Sequence, residues 1–582
     1  YDYIGSTKGE FVLYRSTDMM TMEPVGPSLD LVKGSDQANA VAKDRWAPEY
    51  IYDEDDGCYY MFFSATPANN GSFTAGKGVV PGTAIYVSYI ARASSPEGPY
   101  EMIDFTSKEA VEEGWSHDLN AAGNTRLTAE DVKNGIWGVN DSGAFVEATE
   151  ENYSTLWRPS YPQSYAKYSY LDPAIYASVG LSVGKDAARD GGGFSASIDF
   201  HPFIDPVSGD KYLYWTISDS SNFIVGMKMY EEEDGSSSWL KPDWSTFTLL
   251  TAANYWTIED YQNKNLQNEE GETCYDSNTQ VNEGATVVYH NEKYYMMFSI
   301  NNYDENSYEV CQAIADEPLG AFRKLREEEN GRMLSGALEG SEEMSGTGHN
   351  AIITIGNQMF IYYHSHDSFV AMGGARHANI DELKWVTIKD YQGNDLDVLV
   401  ANGPTATIQP RIEAYAKYKN VAGDATVVLQ EETALAENSS VDWVNDGLLS
   451  VCKNGDPGFY DSYIQETRIT KTATFEITLS QAASIRAVMV YNSKHEDEIF
   501  LNISRMEFVT ESGDTYYLEN VAFPPEYYSV LEITGDVTYV SPGAAAFAEF
   551  YELTEIKTVR ITVEVPEGQS AVGISEIRVL GR

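Results

Sequence analysis

The stretch "NEGATVVYHNEKYYMMFSI", residues 282–300, decides the fold. It reads as two apolar, aromatic strands joined by a short polar turn, with one carboxylate, Glu283, at its head. Its second half shares a texture with three other segments: "CYYMFFSA" at 58–65, "KYLYWTIS" at 211–218 and "MFIYYHSH" at 359–366. Each is preceded, across a polar turn, by another apolar strand, so one hairpin recurs four times. A second half follows, clearest in "AIYVSYIARASSPEGPYEMI" (84–103) and "YEVCQAIADEPLGAFRKL" (308–325). Units of four antiparallel strands repeated in this way point to the blades of a β-propeller. A β-sandwich is the alternative, and the repetition argues against it.

In a propeller the first strand of every blade lines the central channel, so the residues heading those strands converge. Here they are Glu49, Asp199, Glu283 and His349, nine to twelve residues before the corresponding aromatic segments. Four ionisable groups from remote stretches of chain shift one another's pKa at a cost in stability, which favours a functional reading over four satisfied core polars.

Composition narrows the function. The formal net charge of −50 repels nucleic acid phosphates and anionic membrane surfaces, so polyanionic partners are not expected. Tyr contributes 41 residues, more than a core needs, and its apolar face with a polar tip suits sugar rings as well as β-sheet cores. The four cysteines form no close pair, which argues against a disulfide framework or a zinc site. No run of 18 apolar residues is present, and the first residues do not read as a signal peptide.

Taken together, "DRWAPEYIYD" (44–53), "SIDFHPFID" (197–205), "NEGATVVYH" (282–290) and "GTGHNAII" (346–353) resemble glycoside hydrolase family 43 over most of residues 1–405. The resemblance implies a five-bladed propeller and an inverting hydrolase, chiefly of arabinofuranosyl, xylosyl or galactosyl linkages. It implies that Glu283 is the general acid and that Asp199 raises the pKa of that acid and holds it in place. Both roles are physically sound, because an acid must stay protonated near neutral pH and a neighbouring negative charge favours that. An inverting mechanism also needs a base that activates water across the ring. The family's base lies on the innermost strand of the first blade, and the opening "YDYIGSTKGEFVLYRSTDMMTMEPVG" matches only the later half of a unit. The base is therefore expected upstream of Tyr1, with Asp2 or Asp118 as substitutes. His349 stands where the family often keeps a His holding water or a calcium ion on the axis. A His hydrogen-bonded between blades fits equally, and calcium prefers oxygen ligands. No cofactor is required by the resemblance, and a structural calcium is the one ion it allows. Arg376 matches a substrate-reaching Arg or makes an inter-blade salt bridge. Trp46 forms a subsite wall or packs beside Pro48, and Glu49 is expected near the substrate.

The interval of about 94–196 is an insertion rich in Trp, Tyr and Gly, expected to contribute to specificity rather than to be a disordered surface loop. After a linker at 406–419 the aromatic hairpins stop, and residues 420–582 alternate as a second all-β domain. Its opening and its closing "ISEIRVLG" resemble discoidin-like, galactose-binding-like jelly rolls, which implies a β-sandwich of carbohydrate-binding-module type. That domain either binds sugar through loop aromatics or buttresses the propeller. The whole reads as a secreted or surface-exposed exo-acting glycosidase of plant polysaccharides or oligosaccharides, with α-L-arabinofuranosidase ahead of β-xylosidase and galactan exo-hydrolase. The rivals are a non-catalytic carbohydrate-binding propeller and the related retaining fructan hydrolases.

Overall fold

The computed structural model describes residues 11–29, 43–66, 73–75, 78–80, 87–103, 122–133, 138–141, 145–159, 196–218, 222–231, 233, 235, 237–276, 281–335, 344–366, 376–450, 462–525, 528–530 and 537–582. The chain is all-β, with propeller-type sheets in chain order. The first sheet pairs Lys43–Asp53, Cys58–Thr66, Val87–Ala93 and Glu101–Met102. The second pairs Ala196–Ile204, Lys211–Ser218 and Asn222–Glu231, the last of which meets both Ser237–Pro242 and Thr248–Ala252. Asn282–His290, Lys293–Ile300, Glu309–Ala315 and Arg323–Lys324 form the third, and Ser345–Ile355, Gln358–His366, Arg376–Lys389 and Asp395–Ala401 the fourth. Among the described residues there are four such sheets where five blades are expected. A further ladder, Val12–Arg15 with Glu23–Pro27, has two strands.

The chain divides into two compact units. One holds the first three sheets; the other holds the fourth sheet and everything after it, together with two short earlier segments. In the first unit the opening strand of the second sheet lies between those of the first and third. The aromatic strands bury both faces, which explains why they read as continuous apolar runs. Between the first and second sheets, Tyr60, Phe62, Phe200, Leu213 and Trp215 pack into one core. Between the second and third, Phe203, Tyr214, Val287, Tyr294, Met296 and Phe298 form another. At the hairpin end, buried Lys211 Nζ joins Asp53 at 2.7 Å and Asp55 at 2.8 Å, and Tyr294 donates its hydroxyl to Asp205 at 3.0 Å.

Within the expected insertion, Ala122–Arg126, Gly138–Val139, Phe145–Val146 and Trp157–Pro159 make a small four-stranded sheet. The Arg126 guanidinium covers one face of Trp157, 3.5 Å from the ring centre, and the indole N–H donates to Asp141 at 2.8 Å. That ring face is occupied from within the insertion itself.

In the second unit, eight described strands between Lys419 and Gly581 form one antiparallel sheet whose two long strands, Ala473–Asn492 and Ala545–Val563, pair along their length with register shifts between 478 and 487, while Tyr528–Val530 pairs separately with Val537–Val540. It wraps around a single core that includes Phe475, Val488, Phe508, Val559 and Ile574. The segment expected as a linker is packed rather than free. Thr407 Oγ1 accepts from the Ala545 N–H at 2.9 Å, and the Glu413 N–H donates to Gln358 at 2.8 Å.

Candidate active site

The opening strands of the four sheets share one irregularity. In each, four residues face only three of the second strand: Trp46 to Glu49 faces Ser64 to Phe62, Ile198 to His201 faces Thr216 to Tyr214, Glu283 to Thr286 faces Ser299 to Met297, and Gly348 to Ala351 faces His364 to Tyr362. Such a bulge re-aims side chains without ending the strand. The residue just inside it always has a left-handed backbone: Ala47 at φ 46°, Asp199 at 60°, Gly284 at 64° and His349 at 46°. A non-glycine residue there is uncommon and is best tolerated by Asp, Asn and His, two of which occur here.

This register differs from the one expected from the sequence. The four strand-heading residues occupy three different bulge positions. Asp199 and His349 are equivalent, Glu283 is equivalent to Trp46, and Glu49 is equivalent to His201. Counting residues back from the aromatic strands misaligned them because hairpin turns of different length separate the bulge from that strand.

In the first unit the bulges are tied together. The Asp199 N–H donates to Ser64 Oγ at 3.2 Å, and the Gly284 N–H to Thr216 Oγ1 at 3.3 Å. Phe200, buried against Phe62 and Trp215, anchors the strand on the far side of Asp199. Asp199 itself is buried. Burial pushes its carboxyl up to about 7, opposed by the Gly284 N–H and reinforced by the negative charge of Glu49. The residue beside Glu283 therefore contacts Asp199. Glu283 is half-buried, and Asn222 Nδ2, at the start of the third strand of the second sheet, donates to its Oε2 at 3.4 Å. Just before it, Asn282 Nδ2 donates to Asp276 at 2.7 Å, and Asp276 is paired with Lys324, so a buried polar network fixes the entry of this strand. Glu49 is half-buried and bonds His201 Nδ1 at 2.8 Å. Trp46 is half-buried in the bulge of the first sheet.

His349 and Arg376 belong to the second unit. His364 stacks on Tyr308 with ring centres 5.4 Å apart, and its imidazole is held well below its ordinary pKa by burial and then by Arg376, His349 and His366. Arg376 lies over the Tyr303 ring at 5.1 Å, and His366 Nε2 donates to the Tyr303 carbonyl at 3.0 Å. Among the described residues no group of three or more His, Cys, Asp or Glu is arranged to hold a metal ion. The nitrogen-rich surroundings of His349 do not suit calcium, which prefers oxygen ligands. Asp2 and Asp118 lie outside the described residues, as do parts of the loops expected to carry sandwich aromatics, 455–461 and 526–527.

His201 is the site residue that sequence reasoning passed over. Its signal was present in "SIDFHPFID", two residues after Asp199, where strand alternation places it on the same side as the bulge.

Residues 188–387 match the family described as glycosyl hydrolases family 43, a span that contains Asp199, His201, Glu283, His349 and Arg376. No curated protein sequence matches the chain. Similar solved structures include a thermostable family-43 glycoside hydrolase, at 20% identity over 70% of this chain and 89% of that one, with a TM-score of 0.42. An endo-1,4-beta-xylanase from Bacteroides thetaiotaomicron is 19% identical over 69% of this chain and 88% of that one, at 0.38. An alpha-L-arabinofuranosidase from Lactobacillus brevis is 14% identical over 64% and 80%, at 0.33.

Proposed function

We propose that this chain, whose residues 188–387 match glycosyl hydrolases family 43, is a glycoside hydrolase that removes arabinofuranosyl or xylosyl residues from plant cell-wall polysaccharides or oligosaccharides in an exo-acting, inverting reaction. The observation that carries this reading is the contact of Asp199 with Gly284. A buried carboxyl, raised to about 7, is bonded to the residue adjoining a second carboxyl, Glu283. Two neighbouring carboxyl groups, one of them buried and raised toward neutrality, are an arrangement on which general acid catalysis of glycosidic bond cleavage draws.

In this mechanism Glu283 protonates the leaving glycosidic oxygen, with Asn222 orienting its carboxyl. Asp199 is proposed to modulate this acid: once its own carboxyl ionises, above about pH 7, its charge disfavours loss of the Glu283 proton by like-charge repulsion. Water attacks the anomeric carbon from the opposite face as the leaving group departs, and the product sugar has inverted configuration. The base for that water is the one role to which the described carboxylates are not assigned. Trp46 is proposed to line the sugar subsite. The C-terminal domain is proposed as an accessory module, and the enzyme is proposed to act outside the cell or on its surface, where a polymeric substrate would be met. No helix among the described residues is long and apolar enough to cross a membrane.

The test is proton NMR of fresh digests of aryl α-L-arabinofuranoside, aryl β-D-xyloside and aryl β-D-galactoside. Release of arabinose or xylose as the inverted anomer supports the reading. Galactose moves the substrate to galactan, a retained anomer excludes the mechanism, and binding without turnover leaves a carbohydrate-binding propeller.

A further inference from the structure

The second sheet presents His201 to both of its neighbours. Its Nδ1 lies 2.8 Å from Glu49 Oε1 of the first sheet, and its Nε2 accepts the Val287 N–H of the third at 3.0 Å. A backbone N–H can only donate, so Nε2 is unprotonated, and the proton of the neutral ring sits on Nδ1, shared with Glu49. The imidazole is buried, and Tyr214 of its own sheet lies alongside, ring centres 6.1 Å apart. The line Glu49–His201–Val287 thus crosses three opening strands next to the bulges that hold Asp199 and Glu283. The fold does not demand it. At the same bulge position the third sheet has Thr286 and the fourth Ala351, and both bulges form with those small residues.

We infer that His201 and Glu49 are positioning residues for the Asp199–Glu283 pair: the Nδ1–H tautomer of His201 fixes the Glu283 strand against the Asp199 strand, and Glu49 locks that tautomer. This rests on the functional reading above. Two consequences follow from the geometry. A protonated ring would turn Nε2 into a donor facing the Val287 donor, so the bridge holds only with neutral His201. The groups facing Asp199 are Ser64, the Gly284 N–H and Glu49; the last is the negative charge among them, and removing it lets the Asp199–Glu283 pair lose its final proton at lower pH.

The experiment uses the full chain with His201→Leu, His201→Gln and Glu49→Gln, read by kcat, KM, the pH profile and His-selective nitrogen-15 NMR. His201→Leu should lower kcat about 100-fold with KM little changed, since a small misplacement of reacting groups costs about that much. His201→Gln retains an acceptor for the Val287 N–H and should recover about tenfold of the loss. Glu49→Gln should move the basic limb of the kcat profile to lower pH, which a purely structural role would not do. The inference is overturned if His201→Leu keeps kcat within about threefold, or if Leu and Gln lose activity alike and the Glu49→Gln limb stays in place. It is also overturned if the His201 ring carries its proton on Nε2. A wild-type chain that cleaves no glycoside overturns the functional reading alone, since the imidazole spectrum and the exchange rate of the Val287 amide still decide the bridge.

Discussion

Ser64 Oγ accepts the backbone N–H of Asp199 at 3.2 Å, so the residue whose carboxyl burial raises to about 7 is pinned by a hydroxyl of the neighbouring sheet. Thr216 does the same for Gly284. The opening strands are thus stitched at the points where their backbones turn left-handed, and the carboxyl groups are displayed from rigid elements rather than loops.

Replacing Glu283 by Gln keeps the shape and the Asn222 contact but removes the proton. The expected result is a fall in kcat of about 10²–10⁴-fold on an alkyl arabinofuranoside or xyloside, with KM little changed. A smaller loss is expected on an aryl glycoside whose leaving group needs less protonation. Steady-state kinetics on matched substrates checks both.

Asn tolerates the left-handed backbone at position 199, so Asp199→Asn should fold. It removes the negative charge that holds the proton on Glu283, and the basic limb of the pH profile should shift to lower pH. An unmoved limb would assign Asp199 no part in setting the acid.

Lys211 forms a buried ion pair with Asp53 in the first unit and also reaches the exposed Asp55. Lys211→Met leaves the buried Asp53 carboxylate without its cation and should cost about 3–5 kcal/mol in urea unfolding, because the charge stays and its partner goes. Adding Asp53→Asn should restore part of that loss.

Gly348 has no room for a side chain: a Cβ there would lie 2.1 Å from Cδ1 of the buried Tyr308 ring. Gly348→Ala must displace that ring and its stack on His364, and should destabilise the second unit by about 1–3 kcal/mol. Thermal unfolding followed by tyrosine near-UV circular dichroism reads both effects.

In the second unit, Asp381 is buried against Tyr363 and Thr405 and pushed up to about 7 by desolvation. That lies above the ordinary carboxylate value, so between the two values the folded state holds a proton that the unfolded state has released. Its contribution to stability is full below about pH 4 and is lost as pH rises to about 7. Asp381→Asn removes this loss, and should raise the melting temperature at pH 8 by about 2–4 °C per kcal/mol recovered while leaving it nearly unchanged at pH 4. A variant whose melting curve keeps the wild-type pH dependence would show that Asp381 does not titrate in this window.

The amino-acid sequence by itself determined the all-β class, the recurring hairpin and the two carboxyl groups at the heads of strands, because these depend on alternation and local texture. The aromatic runs at 58–65, 211–218, 293–300 and 359–366 all became second strands of sheets. Tertiary structure alone decided which head residues are equivalent. A bulge adds one residue without a sequence mark of its own, and only pairing with Ser64, Thr216, Ser299 and His364 shows that Glu49 aligns with His201 rather than with Asp199. It also decided that His201 belongs to the site, since a histidine inside an apolar strand acquires a tautomer and a role only from Glu49, 152 positions away in the chain, and from the Val287 amide beyond it.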